Sequence, residues 1–256
     1  MSDLKERLEQ LDVSLFDAIP SQTTTDDRRS LLAIQSAVGR ILPNYVYLEI
    51  GSHLGGSILP HLRDDLCSKI YSIDKRPLIQ PDERGVNFGY PENSTERMLE
   101  LLAKVSPTDK IHTIDGETGT LERSLIDEKP NLCFIDGEHT DAATKVDFEF
   151  CLDVLERDGG IIFHDAYVIY NAISDCIATV KKKGLNFKAY ALPSVVFVIE
   201  IGDFPIHRNQ NMQQLLLDNH KSYLFSLEQN DGYRRFTTSV PIKYLWKLAI
   251  KLGGKF

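Results

Sequence analysis

The sequence predicts a doubly wound α/β fold, with a Rossmann-like sheet that is mostly parallel, an antiparallel last strand, and helices on both faces. Three observations predict it. Short apolar runs alternate with helical stretches from Tyr45 to Ile201. The runs are apolar on both faces, as in strands buried between helices. A glycine-rich turn, Gly51-Ser-His-Leu-Gly-Gly56, follows the first run, at the carboxyl end of a strand where such folds bind ligands.

Each element follows from local pattern. Residues 2–11 and 25–38 read as helices, the second opening on Asp26 and Asp27, where a helix start favours negative charge. Pro43 and Asn44 break the chain before a strand at 45–50. The glycine turn leads into a helix, and residues 69–74 form the second strand. Residues 75–92 carry Pro77, Pro81, Gly85, Gly89 and Pro91 and read as a long loop. Ser94 caps a helix reaching Lys104. Strands at 110–115, 132–136 and 161–165 follow, with helices at 142–155 and 168–182, and a closing strand pair at 187–192 and 195–201. The chain divides into an N-terminal helical extension (1–40), a core domain (41–202) and a C-terminal extension (203–256).

Composition narrows the function. The 256 residues are 42% hydrophobic and 26% charged, the balance of a soluble globular domain and not of a disordered chain. A net charge of −8 argues against a nucleic-acid partner. No segment reaches the roughly 18 apolar residues of a membrane span, and the N-terminus lacks the basic start and apolar run of a signal peptide. Cys67, Cys133, Cys151 and Cys176 form no CxxC pair and read as reduced, Cys133 within the core. These features place the protein in the cytoplasm.

Every strand end carries an acid. Asp74 closes the second strand 23 residues after Gly51, the place from which a carboxylate accepts both hydroxyls of a ribose; a turn-capping acid is the competing reading. Glu117 and Thr118, after the third strand, fall beside the base of the same nucleoside. Glu49, an acid inside an apolar strand, requires a polar partner. Asp147, on the helix after Asp136, reads as a solvated or salt-bridged acid. The glycine spacing is not the dinucleotide GxGxxG, since position 53 is His and 54 is Leu, which disfavours a nucleotide-dependent oxidoreductase. A nucleoside-binding protein without chemistry is the other alternative.

Four segments together carry a family resemblance: Tyr47-Leu-Glu-Ile-Gly-Ser-His-Leu-Gly-Gly-Ser57, Ser72-Ile-Asp74, Phe134-Ile-Asp-Gly-Glu-His139 and Gly159-Gly-Ile-Ile-Phe-His-Asp165. The chain resembles class I S-adenosylmethionine-dependent methyltransferases. More narrowly, it is similar to bacterial small-molecule O-methyltransferases of the macrocin and cephalosporin-cluster type. The resemblance implies S-adenosylmethionine held by Glu49, Gly51, Ser52, Gly55, Ser57, Asp74, Glu117, Thr118 and Asp136. It also implies a sugar or secondary-metabolite hydroxyl as acceptor.

Asp136 and Asp165 end adjacent central strands in this topology, so their carboxylates lie side by side. Two such groups do not both ionise without a cation, and a hard divalent ion resolves the conflict; helix capping is the competing reading of either acid. The related metal-dependent enzymes imply magnesium on two acids and a third side chain. Here His164 joins Asp136 and Asp165, a set that also suits manganese. Methyl transfer to an alcohol needs its proton removed, and His139 is the candidate base, with His164 the alternative. Either histidine also reads as a partner that only orients a neighbouring ligand.

The tail falls outside the resemblance. Lys243, Lys247, Lys251 and Lys255 recur at four-residue spacing among Leu245, Trp246, Leu248, Ile250 and Leu252. A basic amphipathic helix over 240–256 either touches an anionic membrane surface or packs on its own domain or on a second copy in a homo-oligomer.

Overall fold

The computed structural model describes residues 2–219, with Pro241 and Tyr244. The basic segment expected at 240–256 otherwise lies outside the described residues.

Seven strands form one sheet in the order β5-β2-β1-β6-β7-β9-β8. They are β1 (Tyr45–Ile50), β2 (Cys67–Asp74), β5 (Ile111–Asp115), β6 (Leu132–Ile135), β7 (Gly159–Phe163), β8 (Phe187–Ala191) and β9 (Phe197–Ile201). The first five pair in parallel, and β9 runs antiparallel to both β7 and β8. This is the expected doubly wound fold with its antiparallel last strand. The chain winds one way through β1, β2 and β5, then reverses at β6, so a crevice opens between β1 and β6.

Period-two side-chain alternation builds two cores from each strand. Tyr45, Tyr47, Leu132 and Phe134 join Leu15, Phe16, Leu32 and Val38 of the N-terminal segment on one face. Val46, Leu48, Cys133 and Ile135 join Phe148, Cys151, Ile173 and Val180 on the other. The second face is covered by α5 (Asp141–Val154) and α6 (Tyr170–Lys182). The first is covered by α1 (Ser2–Glu9), α2 (Thr25–Ile41), α3 (Ile58–Arg63) and α4 (Thr95–Ala103). The N-terminal helices therefore share the sheet's core. All four cysteines are buried and unpaired.

One segment departs from its expected form. Within the loop expected at 75–92, β3 (Ile79–Pro81) and β4 (Asn87–Gly89) pair as a small hairpin. Its turn is tied by Asp82, which accepts from the Arg84 and Val86 amides at 2.9 and 3.2 Å. Of the residues that signal a loop here, Gly85 lies in the hairpin's turn, while Pro81 and Gly89 end its two strands. No helix among the described residues is long and apolar enough to cross a membrane.

Candidate active site

Register decides the site. Ile50 pairs with Ile73 and Ile135, and Ile135 with Phe163, so β1, β2, β6 and β7 stop at one edge. The residues that follow, Gly51, Asp74, Asp136 and His164-Asp165, are thereby brought together.

Gly51 adopts φ +88°, and a Cβ there would stand 2.1 Å from the Asp136 carbonyl oxygen. The glycine is required by the close approach of the β6 exit, which puts Asp136 against the turn. Asp74 is buried and accepts from the His53 and Arg76 amides at 2.9 and 2.7 Å. It thus fixes the glycine turn while lining both adjoining cavities. Ser52 accepts from the Ser72 hydroxyl at 2.8 Å and lines the first cavity, as does Ser57.

Glu49 and Gly55 stand off the cavity walls. Glu49 is fully buried and accepts from Tyr47 and Ser57 hydroxyls at 2.6 and 2.7 Å, the polar partners its position demanded. Burial pushes its carboxyl up to about 8, so it is held neutral. Gly55 faces Leu102 and Met98.

The larger cavity, about 480 Å³, is walled by Gly51, Asp74, Lys75, Glu117, Thr118 and Asp147, among others. Glu117 is exposed, with Lys75 at 3.9 Å. Asp147 is not solvated: it is buried, accepts from the Thr118 hydroxyl, and is raised by burial to about 6. The signal was present in the sequence. Asp147 lies on the buried stripe of α5 with Thr144, Cys151 and Val154, where an acid is out of place.

The second cavity, about 280 Å³, holds the acidic cluster. Asp136, His139, His164 and Asp165 offer ligand atoms that all lie within 4.8 Å of one another. His139 Nε2 is 3.3 Å from Asp136 and its Nδ1 is 3.0 Å from Asp165. His164 Nδ1 is 3.0 Å from Asp136 and 3.6 Å from Asp165. Neither acid caps a helix: Thr140 caps α5, and α6 has no side-chain cap. Asp165 itself adopts φ +50°, a left-handed conformation that aspartate tolerates and that turns its carboxylate into the cluster.

The electrostatics follow. Burial works against charge on all four groups, but the two carboxylates outweigh it for the histidines. His139 rises to about 9 and His164 well above its ordinary value, while both acids are held low. Even so, His164 is nearly fully buried and its ring nitrogens make no aligned hydrogen bond among the described residues. A buried donor pair facing two carboxylates without aligned bonds is a set that fits a cation in place of protons.

Sequence reasoning missed the walls contributed from afar. Thr23, Thr24 and Asp27 come from the start of α2, and Gln80 and Tyr90 from the hairpin region. Tyr90 meets His53 edge-on at 5.4 Å.

Residues 48–166 match the family described as "Methyltransferase domain". No curated protein sequence matches the chain. Solved structures share the fold. One is a putative caffeoyl-CoA O-methyltransferase from Staphylococcus aureus, 16% identical, covering 77% of this chain and 92% of that one, TM-score 0.52. Another is the O-methyltransferase from Bacillus cereus in complex with SAH, 14% identical, 78% and 90% covered, TM-score 0.51. A third is MycE methyltransferase from the mycinamycin biosynthetic pathway in complex with Mg and SAH, 13% identical, 76% and 54% covered, TM-score 0.52. The family match spans the glycine turn, Asp74 and both acids of the cluster, so residues 48–166 form a methyltransferase domain on the fold that these structures share.

Proposed function

We propose that the protein is a divalent-cation-assisted O-methyltransferase acting on a hydroxyl of a small sugar-like or secondary-metabolite acceptor. The observation that carries this is the Asp136-His139-His164-Asp165 cluster, open to the cavity that also borders the glycine turn. In this reading the larger cavity takes the adenosine, with Asp74 at the ribose and Glu117 and Thr118 at the base. Gly51 and Ser52 face the methionine end. The smaller cavity takes the acceptor, and its hydroxyl and amide wall (Ser21, Gln22, Thr23, Gln80, Asn93) suits a polyhydroxylated molecule. MycE, which binds Mg and SAH on the same fold, is in keeping with this.

Asp136, Asp165 and His164 would hold magnesium or manganese, and such an ion lowers the pKa of an acceptor hydroxyl and orients it. The chain's own residues do the rest. The crevice fixes acceptor oxygen and methyl donor in line, where proximity supplies much of the rate. His139 is the proton acceptor, and its charge state is the control: between two carboxylates it already holds a proton at neutral pH. An ion held by those carboxylates would favour the neutral ring, the form that accepts a proton.

The test is turnover with an acceptor panel followed by product mass, with and without EDTA. Asp136→Ala and Asp165→Ala should each lose about a thousandfold in kcat, since the ion's contribution is several kcal/mol. Calorimetric affinity for S-adenosylmethionine should change by less than about threefold, in keeping with binding carried elsewhere. Full activity of both variants in EDTA would overturn the metal assignment.

A further inference from the structure

We propose that Asp27, at the start of α2, is a positioning residue for His164, locking the ring so that Nδ1 faces Asp136 and Asp165; this rests on the metal reading above. The carboxylate of Asp27 is 1% exposed and lies 3.5 Å from His164 Nε2. The opposite ring nitrogen, Nδ1, is the one 3.0 Å from Asp136. An imidazole has two nitrogens, and what the first faces sets how the second is presented.

Asp27 is itself rigidly held. Its Oδ2 accepts from the Thr24 amide at 2.9 Å and the Thr24 hydroxyl at 2.7 Å, and Thr24 Oγ1 accepts from the Asp27 amide at 3.3 Å, closing a capping box. Its Oδ1 accepts from the Val195 amide at 3.4 Å, and Ala166, next to the cluster, donates its amide to the Val195 carbonyl at 2.9 Å. The helix start and the β8–β9 loop thus grip one carboxylate and aim it at one ring. Capping alone does not need this placement, because a cap is satisfied at the surface, whereas a buried carboxylate calls for a cationic partner. Among the described residues, His164 is the group that faces Asp27 as an ion-pair partner. The N-terminal helices, on this inference, are part of the catalytic apparatus and not an appendage to it.

Asp27→Asn in the full chain keeps the side-chain size and the acceptor for the Thr24 amide while removing the charge. Manganese is titrated into ion-free wild type and variant, read by calorimetry and by the free-ion electron paramagnetic resonance signal, with Tm measured alongside. The expected result is a loss of manganese affinity of about tenfold to a hundredfold, the usual effect of removing a group that orients a metal-bound histidine, with Tm moving by only a few degrees. Asp27→Gln, which still offers the Thr24 amide an uncharged acceptor at the same capping-box position, should show the same loss and serves if the Asn variant does not fold. Affinities equal within about twofold, with or without a fall in Tm, would overturn the proposal and leave Asp27 as a structural cap. Wild type that takes up no manganese would overturn the metal reading and this inference with it, a result distinguished by the wild type itself failing.

Discussion

Two buried histidines, His61 and His164, lie at opposite ends of the central strands and differ in how they are partnered. At the amino edge, where β1 and β2 begin, His61 stacks on Tyr47 with ring centres 3.8 Å apart, and its Nδ1 lies 2.8 Å from the Tyr45 hydroxyl. Tyr45 and Gln35 both donate to Asp64 at 3.1 Å, and Lys110 donates to the carbonyls of His61, Asp64 and Cys67 at 3.0, 2.7 and 2.9 Å. Burial, helped by Lys110, pushes His61 down to about 3, so the ring is neutral. At the carboxyl edge, His139 and His164 are driven the other way by carboxylates, and the His164 nitrogens lack aligned partners. Burial of a histidine therefore does not mark a reaction centre. What sets the carboxyl edge apart is two carboxylates crowded around two rings, one of which lacks aligned hydrogen bonds.

The sharpest way to break this contrast is pH. For His139 the folded value, about 9, lies above the unfolded 6.5 or so, so its stabilisation is complete below about 6.5 and is lost as pH rises through about 9. The ion-free enzyme should lose up to about 3 kcal/mol from this group across that window, and His139→Gln should remove that share while the fall from His164 remains. Glu49, raised to about 8, adds a fall of the same sign that starts at lower pH. His61 predicts the opposite limb: its folded value lies below the unfolded one, so stability is lost as pH falls from about 6.5 toward 3. His61→Phe should flatten that acid limb alone. Urea denaturation of the three proteins from pH 4 to 9.5 checks both signs. Matching limbs in the two variants would mean that the clusters are not electrically opposite.

A second, smaller effect separates structure from function at the same two sites. His61→Phe keeps the stacking on Tyr47 but loses the bond to Tyr45, which should cost about 1–3 kcal/mol and several degrees of Tm. Manganese affinity of the folded variant should equal wild type, because the cluster lies at the other end of the strands. A change in affinity would show that the amino-edge network reaches the site through β1.

Much of the site was legible because parallel strands in register put their ends together, so acids at successive strand ends had to converge. Asp74, Asp136 and Asp165 were found that way, and the polar partners of Glu49 followed from an acid sitting in an apolar strand, whereas its standing off the cavity walls did not. Asp27, Gln80 and Tyr90 were not legible, since nothing in local periodicity says that the start of α2 or a hairpin from residues 79–89 will fold over the crevice. Those placements come from packing between segments far apart in sequence. The hairpin was hidden for a different reason: its strands are three residues each, too short to show a period, and its turn residues look like loop.

Asp147 offers the finest test, because it compares the two cavities and not the two edges. It sits in the larger cavity, accepts from Thr118, and is raised by burial to about 6, so near neutral pH it is poised between forms. If that cavity takes the adenosine, Asp147 acts on cofactor binding and not on the methyl transfer itself. Asp147→Asn keeps an acceptor for Thr118 while removing the charge. KM for S-adenosylmethionine should rise by about three- to tenfold, the scale of one hydrogen bond, with kcat nearly unchanged. The wild-type KM should itself fall as pH rises through about 6, since the carboxylate is the form that accepts most strongly, and the variant should show no such step. A fall in kcat at constant KM would instead tie this residue to the acid cluster and remove the division of labour between the cavities.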